Sequence, residues 1–117
     1  EKLEALPLLR KNALKEYLKA LKNKPVLMIV FGSTAKGNYK EDSDLDIIEI
    51  FTTKTNTKDA KKHAEALTGI SIQSFQITEA NFYKELKMKE DKVIQSGINT
   101  GFPVFNNQYF YELIYNE

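Results

Sequence analysis

Two aspartates one residue apart, Asp44 and Asp46, stand at the head of an apolar run that continues through Ile47 and Ile48. On a strand successive side chains alternate faces, so the two carboxylates point the same way, roughly 6 to 7 Å apart. Carboxylates held that close repel one another unless a cation lies between them. A hard divalent ion such as Mg²⁺, or Mn²⁺ in its place, takes oxygen ligands, commonly one or two carboxylates plus the phosphates of a substrate. The pair therefore reads as half of a site whose other half is a metal-bound polyphosphate.

The segment just upstream supplies a phosphate end. Phe31-Gly32-Ser33-Thr34-Ala35-Lys36-Gly37 closes an apolar run with a Gly-Ser step. Gly32 has no side chain to keep the backbone away from an anion. If Ser33 opens a helical turn, its hydroxyl and the free N–H groups after it converge on one spot. Lys36 adds a positive charge one turn on, and Gly37 releases the chain toward the acidic pair. Each piece alone has a plainer reading. Gly-Ser after a strand is commonly just a turn, Asp-x-Asp also occurs on solvated strand edges, and Lys36 alone is a surface lysine. The combination in one order is what carries information.

That combination resembles the signature of the nucleotidyltransferase superfamily that includes DNA polymerase beta, most closely its minimal stand-alone members. The pattern there is a hydrophobic strand, Gly-Ser, a spacer of about ten residues, then Ser-Asp-x-Asp and a second apolar strand; residues 26 to 50 follow it. The resemblance implies a nucleotidyltransferase fold, α/β (α+β), with a small mixed sheet flanked by helices. It implies that Asp44 and Asp46 are the catalytic, metal-binding pair and that Gly32 and Ser33 hold the triphosphate, beside which the charge of Lys36 would fall. The implied reaction passes a nucleoside monophosphate from an NTP, with ATP the first choice, to an acceptor hydroxyl. Such enzymes use a third carboxylate from a later strand, and the third apolar run, Ile70 to Ile77, contains no Asp or Glu. Gln73 is the best match for that position and Gln76 the second. An amide oxygen can ligate a metal but is a poor base. Glu49 sits at odd spacing from the pair and should face the other side of the sheet, and Glu79 is better placed to support a helix N-terminus.

The resemblance also implies a second reading: a catalytically weak or inactive nucleotide-binding subunit of a toxin–antitoxin-like pair, with a helical partner protein. A domain this small lacks modules for gripping a nucleic-acid template, so the acceptor is expected to be a small molecule or a partner protein. A homodimer through the aromatic tail is a further expectation.

Elements must exist to hold these residues in place. Pro7 suits the first turn of a helix in which Leu14, Leu18 and Leu21 recur, ending at Asn23-Lys24-Pro25. Val26 to Phe31 predicts a strand buried on both faces. Residues 34 to 43 predict a short helix or loop, and Leu45 to Phe51 a second strand. Thr57 is placed to cap a helix with Ala60, Ala64 and Leu67 on one face, closed by Gly69. A third strand over Ile70 to Ile77 leads to a helix capped by Thr78 that carries Phe82 and Leu86. Lys92 to Ile98 predicts a further helical stretch, and the aromatic tail from Phe102 to Tyr115 is expected to pack across the core. His63 reads as a solvated surface residue on a lysine-rich face.

The chain has 117 residues, enough for one domain spanning 1–117, and starts at Glu1, which leaves room for a longer parent chain. A net charge of +1 offers no field for nucleic acid or an anionic membrane. The longest apolar stretch is too short to span a bilayer. The absence of cysteine rules out disulfides and thiolate metal sites and suits a reducing cytoplasm.

Overall fold

The described residues of the computed structural model are 6 to 115. Their order is α1 (Leu8–Ala20), β1 (Leu27–Phe31), α2 (Gly32–Lys36), β2 (Leu45–Phe51), α3 (Lys58–Thr68), β3 (Ile72–Thr78), α4 (Glu79–Met88), α5 (Lys92–Thr100), β4 (Phe102–Phe105) and α6 (Asn107–Tyr115). The four strands form one sheet in the order β3-β2-β1-β4. β1 runs antiparallel to both β2 and β4, while β2 and β3 are parallel, so the sheet is mixed.

β1 is continuously apolar because both its faces are covered. One face of the sheet carries Met28, Val30, Leu45, Ile47 and Phe51 against Ala13, Leu14 and Tyr17 of α1 and Ala60 and Ala64 of α3. The other carries Ile29, Ile48 and Ile50 against Phe82 and Leu86 of α4, Ile94 of α5 and Phe110 of α6. Alternation along β2 thus sends odd-numbered residues to the first core and even-numbered ones to the second. Gly97 lets α5 come close on that second face, since a Cβ there would fall 2.1 Å from Ile48 Cδ1.

Several expectations need correction. The aromatic tail does pack on the cores through Phe102, Val104 and Phe110, and it does so as a strand, Phe102–Phe105, paired with β1 and a helix over residues 107 to 115, neither of which the residue pattern predicts. Thr57 stands at the N-terminus of α3 but its side chain makes no capping hydrogen bond; Asn56 Oδ1 instead accepts from Lys58 N–H at 3.0 Å. Leu67 is exposed, leaving Ala60 and Ala64 as the buried face of α3. β3 begins at Ile72, two residues later than its apolar pattern. Gln76, the second choice for the third acid position, pairs with Glu49 on the face away from Asp46.

Candidate functional site

β2 lies in the middle of the sheet, so Asp46 has a neighbour on each side: Phe31 of β1 and Gln73 of β3. Asp44 directly precedes the strand and is exposed, while Asp46 is half-buried. Immediately after Phe31 the chain turns through Gly32 at φ 70° into α2, with Ser33 in its first turn. This left-handed conformation favours glycine, and space demands it as well: a Cβ on Gly32 would lie 2.5 Å from Asp46 Oδ2. The Gly-Ser turn and the second aspartate of the pair are therefore close neighbours in the fold.

The carboxyl of Asp46 is pushed up from its ordinary value, first by partial burial and then by the charge of Asp44. Both causes oppose ionisation, and a divalent cation between the two groups would cancel the repulsion and offset the cost of burial. The donor set of two carboxylates beside an open backbone turn fits Mg²⁺ or Mn²⁺ better than a softer ion. Among the described residues no group of three or more His, Cys, Asp or Glu gathers anywhere. Gln73, the first choice for the third acid position, is exposed and lies one strand spacing (about 4.8 Å) from Asp46. Lys36 ends α2 and is exposed.

Glu49 is fully buried on the opposite face, where the Tyr17 hydroxyl donates to Oε1 and Gln76 Nε2 donates to Oε2 at 2.9 Å. Burial, then this hydrogen bond, pushes the Tyr17 hydroxyl up. Gln76 also ties residues 52–57 to the sheet, accepting from Thr55 N–H at 2.7 Å and donating to its carbonyl at 2.9 Å. Glu79 lies in the first turn of α4 and accepts from the hydroxyls of Tyr83 (3.0 Å) and Tyr109 (2.8 Å). His63 is exposed, its Nε2 3.0 Å from Glu16 Oε1.

Arg10 is the residue that pattern reasoning missed. It is 3% exposed, and its guanidinium donates to Thr34 Oγ1 (3.0 Å), the Lys40 carbonyl (3.0 Å) and the Ser43 carbonyl (2.9 Å). Its charge also lies 4.2 Å from the centre of the Tyr39 ring. One side chain on α1 thus fastens both ends of the loop that joins the Gly-Ser turn to Asp44. The available signal was its uniqueness, because it is the single arginine in a chain whose Lys and Arg total 17. A lysine cannot present a planar fork to several acceptors at once.

Residues 12–108 match the family described as "Polymerase beta, Nucleotidyltransferase", and the chain belongs to that family. No curated protein matches it in sequence. Solved structures with the same fold include a toxin-antitoxin with AMP-PNP, at a TM-score of 0.63 and 15% identity, covering 90% of this chain and 81% of that one. Another is the toxin-antitoxin MntA-HpeT carrying two aspartate-to-glutamate substitutions, at 0.60 and 13% identity, covering 90% and 80%. A third is MntA-HpeT with a tyrosine-to-alanine substitution, at 0.61 and 15% identity, covering 91% and 80%. No described helix is long and apolar enough to cross a membrane.

Proposed function

We propose that this chain binds a nucleoside triphosphate with Mg²⁺ and transfers its nucleoside monophosphate to a hydroxyl of a small molecule or a partner protein. The observation that supports the reading is the close approach of the Gly32 turn to Asp46, an open backbone turn beside the second carboxylate of the pair. Asp44 and Asp46 would hold the metal, which when bound screens the phosphate charge and polarises the phosphorus centre. Gly32 and Ser33 would orient the triphosphate, with Lys36 near its outer charge. In the transfer the acceptor oxygen bonds to the α-phosphorus as the bond to pyrophosphate breaks. The hydroxyl proton passes to solvent, because Gln73 is no base. ATP is the first candidate, given the AMP-PNP in one structure of the same fold.

A second reading has its own support: Gln73 beside Asp46 favours a slow or silent enzyme that binds nucleotide as the regulatory half of a toxin–antitoxin pair. The solved complexes of this fold add weight to a protein partner. The test is transfer of α-labelled ATP to a co-purified partner by the wild type and by Gln73→Asp. Restoring a general base should raise transfer about a hundredfold. Wild-type transfer supports the enzyme; metal-dependent nucleotide binding with no transfer in either protein supports the regulatory subunit.

A further inference from the structure

The two edges of the sheet are built differently. β4 has 4 residues, contains Pro103, and shifts register against β1 between Met28 and Ile29. Shortness, proline and an irregular ladder are the devices that stop an edge from recruiting another strand. β3 has none of them. Its 7 residues, Ile72-Gln73-Ser74-Phe75-Gln76-Ile77-Thr78, include no proline, glycine or charge, and its register with β2 runs unbroken from Leu45↔Ile72 to Phe51↔Thr78. Among the described residues it ends the sheet, with β2 as its one strand neighbour. Leu45 N–H bonds the Ser71 carbonyl at 2.9 Å, so odd-numbered residues turn their backbone groups to β2. Ile72, Ser74 and Gln76 consequently turn theirs outward.

Clefts of different character flank this edge. On the face of Phe75 and Ile77 lies one of about 580 Å³ whose wall combines apolar Met88, Val93 and Ile94 with Lys84, Glu85 and Asp91. On the face of Ser74 and Gln76 lies one of about 440 Å³ bordered by Lys54 and Lys61. We propose that the outer edge of β3 is a docking site for an extended segment of a partner protein, one whose side chains alternate apolar and acidic. Main-chain hydrogen bonds to Ile72, Ser74 and Gln76 would supply affinity, and the two clefts would select alternate side chains. Acidic residues fit the lysine side and apolar ones the Phe75 side. A second copy of the chain is the poorer occupant. β3 carries no acidic residue, and pairing two copies would bring the same lysines together. Pairing at this edge uses the backbone of Ile72, Ser74 and Gln76 and needs neither Asp44 nor Asp46, although Gln73, beside Asp46, lies on the same strand.

The test is binding of a blocked synthetic peptide of alternating valine and glutamate, matching the 7 residues of β3, to the whole chain, with amide hydrogen exchange read residue by residue. Saturable binding should slow exchange at Ile72, Ser74 and Gln76. Methylating alternate peptide amides should abolish it, and a valine–lysine peptide should not bind. Lys54→Glu with Lys61→Glu, checked for folding by circular dichroism, should weaken binding about tenfold. The proposal is overturned by no saturable binding, by binding that leaves the β3 amides unprotected, or by equal binding of the lysine peptide. It is overturned equally if those amides are already protected in a peptide-free dimer, because a second copy is then the occupant.

Discussion

Asp46 is held where its charge is disfavoured, and that has a measurable sign. Its folded-state pKa is raised by burial and by Asp44, so the folded chain binds a proton more readily than the unfolded one. The penalty is absent at low pH and grows as pH rises through the raised folded value. In metal-free buffer at neutral pH, Asp46→Asn should therefore raise the melting temperature by about 2 °C. The same variant should lose metal-dependent nucleotide binding, and differential scanning calorimetry with and without Mg²⁺ separates the two effects. Gly32→Ala should do the reverse. It forces a side chain into the left-handed region and against Asp46 Oδ2, costing about 1 to 3 kcal/mol in chemical denaturation and weakening nucleotide binding. Arg10→Lys should keep the fold but loosen residues 37–44, raising the dissociation constant for Mg²⁺-nucleotide about tenfold by calorimetric titration. The acid pair and the Gly-Ser turn were legible because their spacing lies within one short stretch of chain. Arg10 was not, because its contacts are 24 to 33 residues away in sequence.

At the scale of elements, alternation along β2 decides which groups meet. It puts Asp46 on the face of Ile48 and sends Glu49 to the opposite core, where Tyr17 and Gln76 satisfy its oxygens. Gln76→Leu should cost about 1 to 3 kcal/mol in urea denaturation by leaving a buried carboxylate oxygen unpaired, with nucleotide binding unchanged. The turn between α4 and α5 has a pH dependence of its own. Glu85 accepts from Gln95 Nε2 (2.6 Å) and from the N–H groups of Glu90 (3.2 Å) and Asp91 (3.1 Å). The Gln95 hydrogen bond leads these in holding its carboxyl below its ordinary value. That stabilisation is present above the unfolded carboxylate pKa and disappears as pH falls through the lowered one. Glu85→Gln should accordingly narrow the gap in melting temperature between neutral and acidic buffer. Period and capping signals sufficed for β1, β2 and α4, whose patterns are undisturbed. β4 was hidden: its Phe-Pro-Val-Phe pairs at an edge, where Pro103 can sit because the N–H it lacks is not needed by a neighbour on the far side.

For the molecule as a whole, a single sheet divides two cores, and helices from every part of the described chain pack on one or the other. The radius of gyration of 13.5 Å is that of a chain of this length folded as one unit. We take the chain as one domain, and the shared sheet should make both cores melt in a single calorimetric transition. The family membership and the mixed sheet give the molecule its class, while the close approach of Gly32 to Asp46 supports the proposed chemistry. The most direct test is isothermal titration of ATP into the purified chain with Mg²⁺, repeated with chelator and with Asp44→Asn plus Asp46→Asn. Saturable binding that requires the metal and disappears in the double variant is expected. Nucleotide binding that persists in the double variant, or that needs no divalent ion, would contradict the proposed function.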